Sequence, residues 1–176
     1  MSKFKRPSIQ KLSPAVIKTR SLKKHYRNWT FKRQRKEVLF YHLSKEKITE
    51  SQLNEFFDWC LHWCHNKFGK VKGHSIPQIE WEWKDRELQR QNLLGMYWED
   101  DNLISLRIEG HRNIYNLAET IIHEYVHYMQ ARHGNWYERY DKKLGYSNNP
   151  YEIEAYFIGE TYAVDCARTV MRWMME

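Results

Sequence analysis

Behind Thr49, apolar side chains recur at helical intervals: Leu53, Phe56, Phe57, Cys60, Leu61, Cys64 and Phe68 fall on one stripe. Thr49-Glu-Ser-Gln52 has the form of a capping box and Gly69 follows the last apolar position, so a helix is predicted between them. The period then changes to two. From Pro77 to Trp83, Ile79, Trp81 and Trp83 alternate with Gln78, Glu80 and Glu82, the pattern of a half-buried strand. Lys84 to Asn92 reads as a polar connection. Leu94 to Trp98 and Leu103 to Ile108, separated by Glu99-Asp-Asp-Asn102, predict an antiparallel hairpin and hence a sheet of at least three strands.

Helical spacing returns between about Asn113 and Arg132. Ile114, Leu117, Ala118, Ile121, Ile122, Tyr125, Val126 and Met129 cover more than one face, which predicts a largely buried helix. Asn149 followed by Pro150 is a helix start, and the helix it opens is expected to reach about Met174. The segment from Gly134 to Asn148 is expected to be a loop. The order of elements predicts an α+β domain with a small, mainly antiparallel sheet packed on helices.

A length of 176 residues fits one such domain, and the 15% aromatic content supplies bulky material for its core. Its boundary comes from charge. Residues 1–36 hold 13 Lys or Arg and no acid, leaving 16 basic against 22 acidic side chains beyond them. The chain therefore divides into a basic arm, 1–36, and an acidic body, 37–176, which begins with a short apolar run at Val38 to Leu43. Tyr26, Trp29 and Phe31 are interleaved with the arm's charges, as suits a segment that holds phosphates while aromatic faces stack on bases. An acidic protein surface, or the acidic body itself, fits the same charge. No run of about 18 apolar residues offers a membrane span. The charged N-terminus does not read as a secretory signal. Three cysteines without framework spacing point to a reducing compartment, a cytoplasm or a viral particle assembled in one. Cys60 and Cys64 fall on the apolar face of their helix and read as buried small hydrophobes, whereas His62 and His65 read as surface residues.

The chemistry lies in Thr120-Ile-Ile-His-Glu-Tyr-Val-His-Tyr-Met-Gln130. On a helix His123 and His127 are one turn apart and rotated by only about 40°, so both imidazoles reach one metal ion. Glu124 lies beside them, placed to take a proton from an attacking water. Two neutral nitrogens, an open position and a carboxylate are what a zinc hydrolase requires. A third protein ligand is needed, and three candidates follow. His133 has the spacing of a third histidine, but the glycine that reverses the chain in that pattern is replaced by Gln130. A continuing helix would carry His133 about 9 Å along the axis from His127. Glu152 and Glu154 open the last helix, where Glu152 also suits a capping box with Asn149.

His-Glu-Tyr-Val-His, followed after 24 residues by Glu-Ile-Glu-Ala at a helix start, resembles the gluzincin branch of the zincin metallopeptidases, M48-like and compact minigluzincin or ImmA/IrrE-like members included. The resemblance spans about Pro77 to Met174. It implies a zincin-like domain, Zn2+ held by His123, His127 and Glu152, Glu124 as the catalytic base, and hydrolysis of a peptide or protein substrate. It also implies that Leu103 to Ile108 is the edge strand on which an extended peptide lies. The position four after Glu152, often Asp or Asn in such proteins, is Tyr156 here. His133-Gly-Asn-Trp is similar, more weakly, to a segment of SprT-like proteases, which act on DNA-bound proteins. Tyr137, Tyr140, Tyr146 and His111 are candidates for oxyanion stabilisation. The competing expectation is a non-catalytic structural or binding protein, such as a component of a nucleoprotein particle, that keeps the metal site for stability.

Overall fold

The computed structural model describes residues 48–131 and 135–174. The basic arm, the run at 38–43 and His133 lie outside the described residues. Helix α1 (Glu50–Phe68) is followed by β1 (Gln78–Glu82), a short α2 (Arg86–Arg90), β2 (Gly95–Trp98), β3 (Leu103–Arg107), α3 (Ile114–Gln130), α4 (Trp136–Leu144), a single 3-10 turn (Tyr146–Asn148) and α5 (Pro150–Trp173). The architecture is α+β.

Helix starts follow local chemistry. Gln52 N donates to Thr49 Oγ1 at 3.2 Å while Thr49 N donates to Gln52 Oε1 at 3.0 Å, so the capping box is complete. Gly69 closes α1 with φ 78°, a left-handed conformation that glycine adopts without steric cost. Asn113 caps α3 by accepting from Asn116 N, and Asn149 caps α5 by accepting from Tyr151 N, with Pro150 at the first position. The polar connection between β1 and β2 contains α2, which Asp85 caps and which buries Leu88.

The sheet order is β1-β3-β2, with β2 and β3 antiparallel and β1 parallel to β3. Two expectations are corrected. The sheet is mixed rather than mainly antiparallel, because α2 and β2 intervene between β1 and β3 and let β3 return in the same direction. Leu103 to Ile108 contains the central strand, not the edge; among the described residues β2 is an edge. Arg107 N donates to Leu94 O at 2.9 Å, which marks Leu94 and Arg107 as a hydrogen-bonded pair. By antiparallel alternation the backbone groups of Gly95 and Tyr97 point to the open side of β2.

Ile104, Leu106 and Ile108 point into a single core cluster with Leu117, Ile121, Ile122, Val126, Ala155 and Ile158. Helices α3 and α5 form the most extensive pairing, α1 covers both, and β2 lies on α3. Burying α3 on nearly every side requires partners for its tyrosines. Tyr125 donates to Gly69 O at 2.7 Å and Tyr128 accepts from Val71 N at 2.9 Å, which ties α3 to the segment after α1. Cys60, Cys64 and Cys166 are all buried, with the Cys60 and Cys166 sulfurs 3.9 Å apart between α1 and α5. His62 is exposed and His65 half-buried. Among the described residues no helix is long and apolar enough to cross a membrane.

Candidate metal centre

Two glycines bring the elements of the site together. A Cβ on Gly95 would lie 2.7 Å from Thr120 Cγ2 and 3.1 Å from Glu124 Cγ, so β2 rests directly on the motif face of α3. A Cβ on Gly159 would lie 3.1 Å from Glu119 O and 3.7 Å from His123 Cβ, so α5 approaches α3 just as closely on another side. Neither position accepts a side chain without movement of its neighbours.

Between these contacts His123, His127 and Glu152 each offer one ligand atom, all within 4.8 Å of one another. The two Nε2 atoms are 3.0 Å apart. Glu152 Oε1 lies 3.2 Å from His127 Nε2, and Oε2 lies 3.4 Å from His123 Nε2. Glu152 is only 2% exposed, yet its Oε2 has no hydrogen-bond partner. A buried carboxylate oxygen without a donor is costly, as are two imidazole nitrogens aimed at one point. A cation among the three removes both penalties, and the donor set of two imidazoles and one carboxylate suits zinc.

The surroundings orient the His127 imidazole and keep the Glu152 carboxyl ionised. Gln130 Nε2 donates to Glu154 Oε2 at 2.8 Å and to Tyr151 O at 3.2 Å, both acceptors only, which turns Gln130 Oε1 toward His127 Nδ1 at 2.9 Å. In the neutral ring Nδ1 then carries the proton, and Nε2 keeps its lone pair for a ligand. Burial disfavours charge on His127, but Glu152 and Glu124 outweigh it and raise its proton affinity. Burial likewise pushes Glu152 up, and His123 and His127 outweigh that, holding the carboxyl well below its usual range.

Glu124 is 5% exposed, beside Gly95, and its charge is felt by His127 and Tyr137. Of the two candidate third ligands among the described residues, Glu152 joins the histidines and Glu154 does not. Glu152 does not close a capping box, because Asn149 caps the helix through Tyr151 N and the Glu152 carboxylate turns to the histidines. Glu154 is occupied by Gln130.

The expected loop from Gly134 to Asn148 contains α4 and the 3-10 turn. Through α4, Tyr137 donates to Glu152 Oε1 at 2.6 Å and sets its ring perpendicular to His127 at 5.8 Å. Burial and the adjacent Glu152 push the Tyr137 hydroxyl up, so it remains a donor. Tyr146 faces Tyr156 and Glu152, and the Tyr156 ring lies 4.5 Å from His123. Tyr156, four residues after Glu152, therefore sets an aromatic ring against a histidine. Tyr140 stacks instead with Trp136 and Tyr151. His111 is held by Thr120 Oγ1 at 2.9 Å, away from the three ligands' hydrogen bonds. Sequence reasoning treated Gln130 only as a missing glycine and did not assign Tyr137 to Glu152. The i+3 spacing of His127 and Gln130 was the available signal for the first. Comparison with protein-family models, with curated proteins and with solved structures gave no match to this chain.

Proposed function

We propose that this chain is a zinc-dependent peptidase of gluzincin type, with zinc held by His123, His127 and Glu152 and Glu124 as the general base. The observation that carries this reading is the gathering of both Nε2 atoms around the Glu152 carboxylate, one of whose oxygens lacks a donor, with Glu124 buried alongside. Zinc in such a site supplies a Lewis acid that brings the pKa of water near neutrality. Glu124 takes the proton of the attacking water and returns it to the leaving amine. Tyr146 and Tyr156, at 42% and 49% exposure, are the hydroxyls assigned to a developing oxyanion, for which Tyr146 exchanges its bonds to Tyr156 and Glu152.

The peptide adds to the sheet at β2 rather than β3. Gly95 and Tyr97 offer their backbone groups at that edge, and the close approach of β2 to α3 at Gly95 brings that edge near Glu124. The arm at 1–36 gives a means of localisation on nucleic acid or an acidic protein surface.

The test is metal analysis combined with Glu124→Gln. Wild type and variant should each purify with one zinc, and cleavage of an unfolded protein substrate should fall by at least about 100-fold in the variant. Failure of both to hold stoichiometric metal overturns the reading. A zinc-loaded wild type that cleaves no member of a diverse peptide library identifies a non-catalytic protein stabilised by its metal.

A further inference from the structure

Among the described residues, helix α4 is attached chiefly to the elements that carry the metal centre. None of its nine residues is buried, and Asn135 makes no side-chain cap. Helices this short are marginal on their own in water. Its attachments run to the first turn of α5 and to His127. Asn149 Nδ2 donates to Tyr137 O at 3.2 Å, Tyr137 and Tyr140 stand 6.3 and 6.1 Å from the Tyr151 ring, and Tyr137 reaches Glu152. The shortest of these contacts is the 2.6 Å bond to Oε1, while Oε2 of the same carboxylate has no donor.

We infer that Tyr137 is a positioning residue: by holding Glu152 Oε1 it leaves Oε2 as the atom offered to zinc, and so couples the docking of α4 to metal occupancy. This rests on the zinc reading above. A hydroxyl on one oxygen fixes the rotation of the carboxylate about its terminal bond, which otherwise ranges broadly. It also keeps the ligand single-toothed, leaving a coordination position open for substrate chemistry. Coupling is reciprocal: a docked α4 strengthens metal binding to the same extent that metal strengthens docking.

The experiment uses the full chain and Tyr137→Phe, which keeps the ring against His127 and removes only the oxygen. Tyr140→Phe, on the same helix but away from Glu152, is the control. Zinc affinity is read by competition with a chromophoric chelator, ligand geometry by the visible absorption of the Co2+ form, and docking by amide hydrogen exchange of residues 139–145 with and without zinc. Tyr137→Phe should bind zinc about 10- to 100-fold more weakly, shift the Co2+ spectrum and lose the zinc-dependent protection of α4. Tyr140→Phe should match wild type in affinity and spectrum. Equal zinc affinity in wild type and Tyr137→Phe, or protection that rises with zinc in both, overturns this inference and leaves the peptidase reading standing. A wild type that takes up no zinc overturns both.

Discussion

Gln130 Oε1 accepts the His127 Nδ1 proton at 2.9 Å, and the same amide spans to α5 through Glu154 and Tyr151. One side chain thus sets the tautomer of a ligand on α3 and fastens that helix to the one carrying Glu152. Gln130→Leu should weaken zinc binding by roughly 10- to 100-fold and lower apo stability by about 1–3 kcal/mol, through the three hydrogen bonds it removes. Chelator competition and urea unfolding of the metal-free protein separate the two effects.

The two glutamates of α5 should behave differently. Glu152→Ala removes a ligand and should abolish stoichiometric zinc. Glu154→Ala removes a partner of Gln130 and no ligand, and should retain zinc with a smaller loss of affinity. Metal content after gel filtration checks the ranking, and the opposite order would move the centre.

Gly95 is a contact between β2 and α3 that tolerates no methyl group. Gly95→Ala should destabilise the protein by about 1–3 kcal/mol, since the new Cβ falls 2.7 Å from Thr120 Cγ2. Thr120→Ser deletes that atom, so the double variant should recover part of the loss. A double-mutant cycle in urea with no coupling would show that the strand moves away instead.

Stability should depend on pH through two groups outside the ligand set. Burial, then the charge of Glu160, raises the Glu119 pKa to about 7. A raised carboxyl contributes stability that is present below its unfolded value near 4.5 and lost as pH rises through 7. Glu119→Gln should therefore exceed wild type by roughly 1–2 kcal/mol at pH 8, after allowance for solvent screening, and converge with it below pH 4.5. His111 runs the other way. Burial lowers its pKa to about 4, so its contribution is present above pH 6.5 and lost as pH falls through 4. Thermal melts across pH 4–8 read both.

Deleting residues 2–36 removes 13 positive charges. Any salt-sensitive nucleic-acid binding should disappear with them, while zinc content stays the same. Retardation of nucleic acid at several salt concentrations measures this, and unchanged binding assigns the contact to the body.

What was legible in the sequence was what local chemistry encodes. The Thr49–Gln52 box, Gly69 and the Asn149–Pro150 pair each mark a helix end by a rule acting within four residues, and the structure places helix ends there. His123 and His127 share a face by spacing alone. Strand order was not legible, because alternation of Ile104, Leu106 and Ile108 says which face is buried and nothing about whether a strand has one neighbour or two. Helix α4 escaped for a related reason: without a side-chain cap or a buried stripe it carries neither helix signal. The roles of Gln130 and Tyr137 depend on which elements meet, and no local pattern records that.

The three thiols between α1 and α5 make the protein its own gauge of opening. Burial raises the Cys60 and Cys64 pKa values well above the ordinary range and removes reagent access, so alkylation must wait for the helices to part. The rate at which an added alkylating reagent consumes these sulfurs then measures how often α5 separates from α1. Repeating the measurement with zinc added reports how far a cation bound near one end of α5 restrains the opposite wall of the core, with no label introduced and no residue changed.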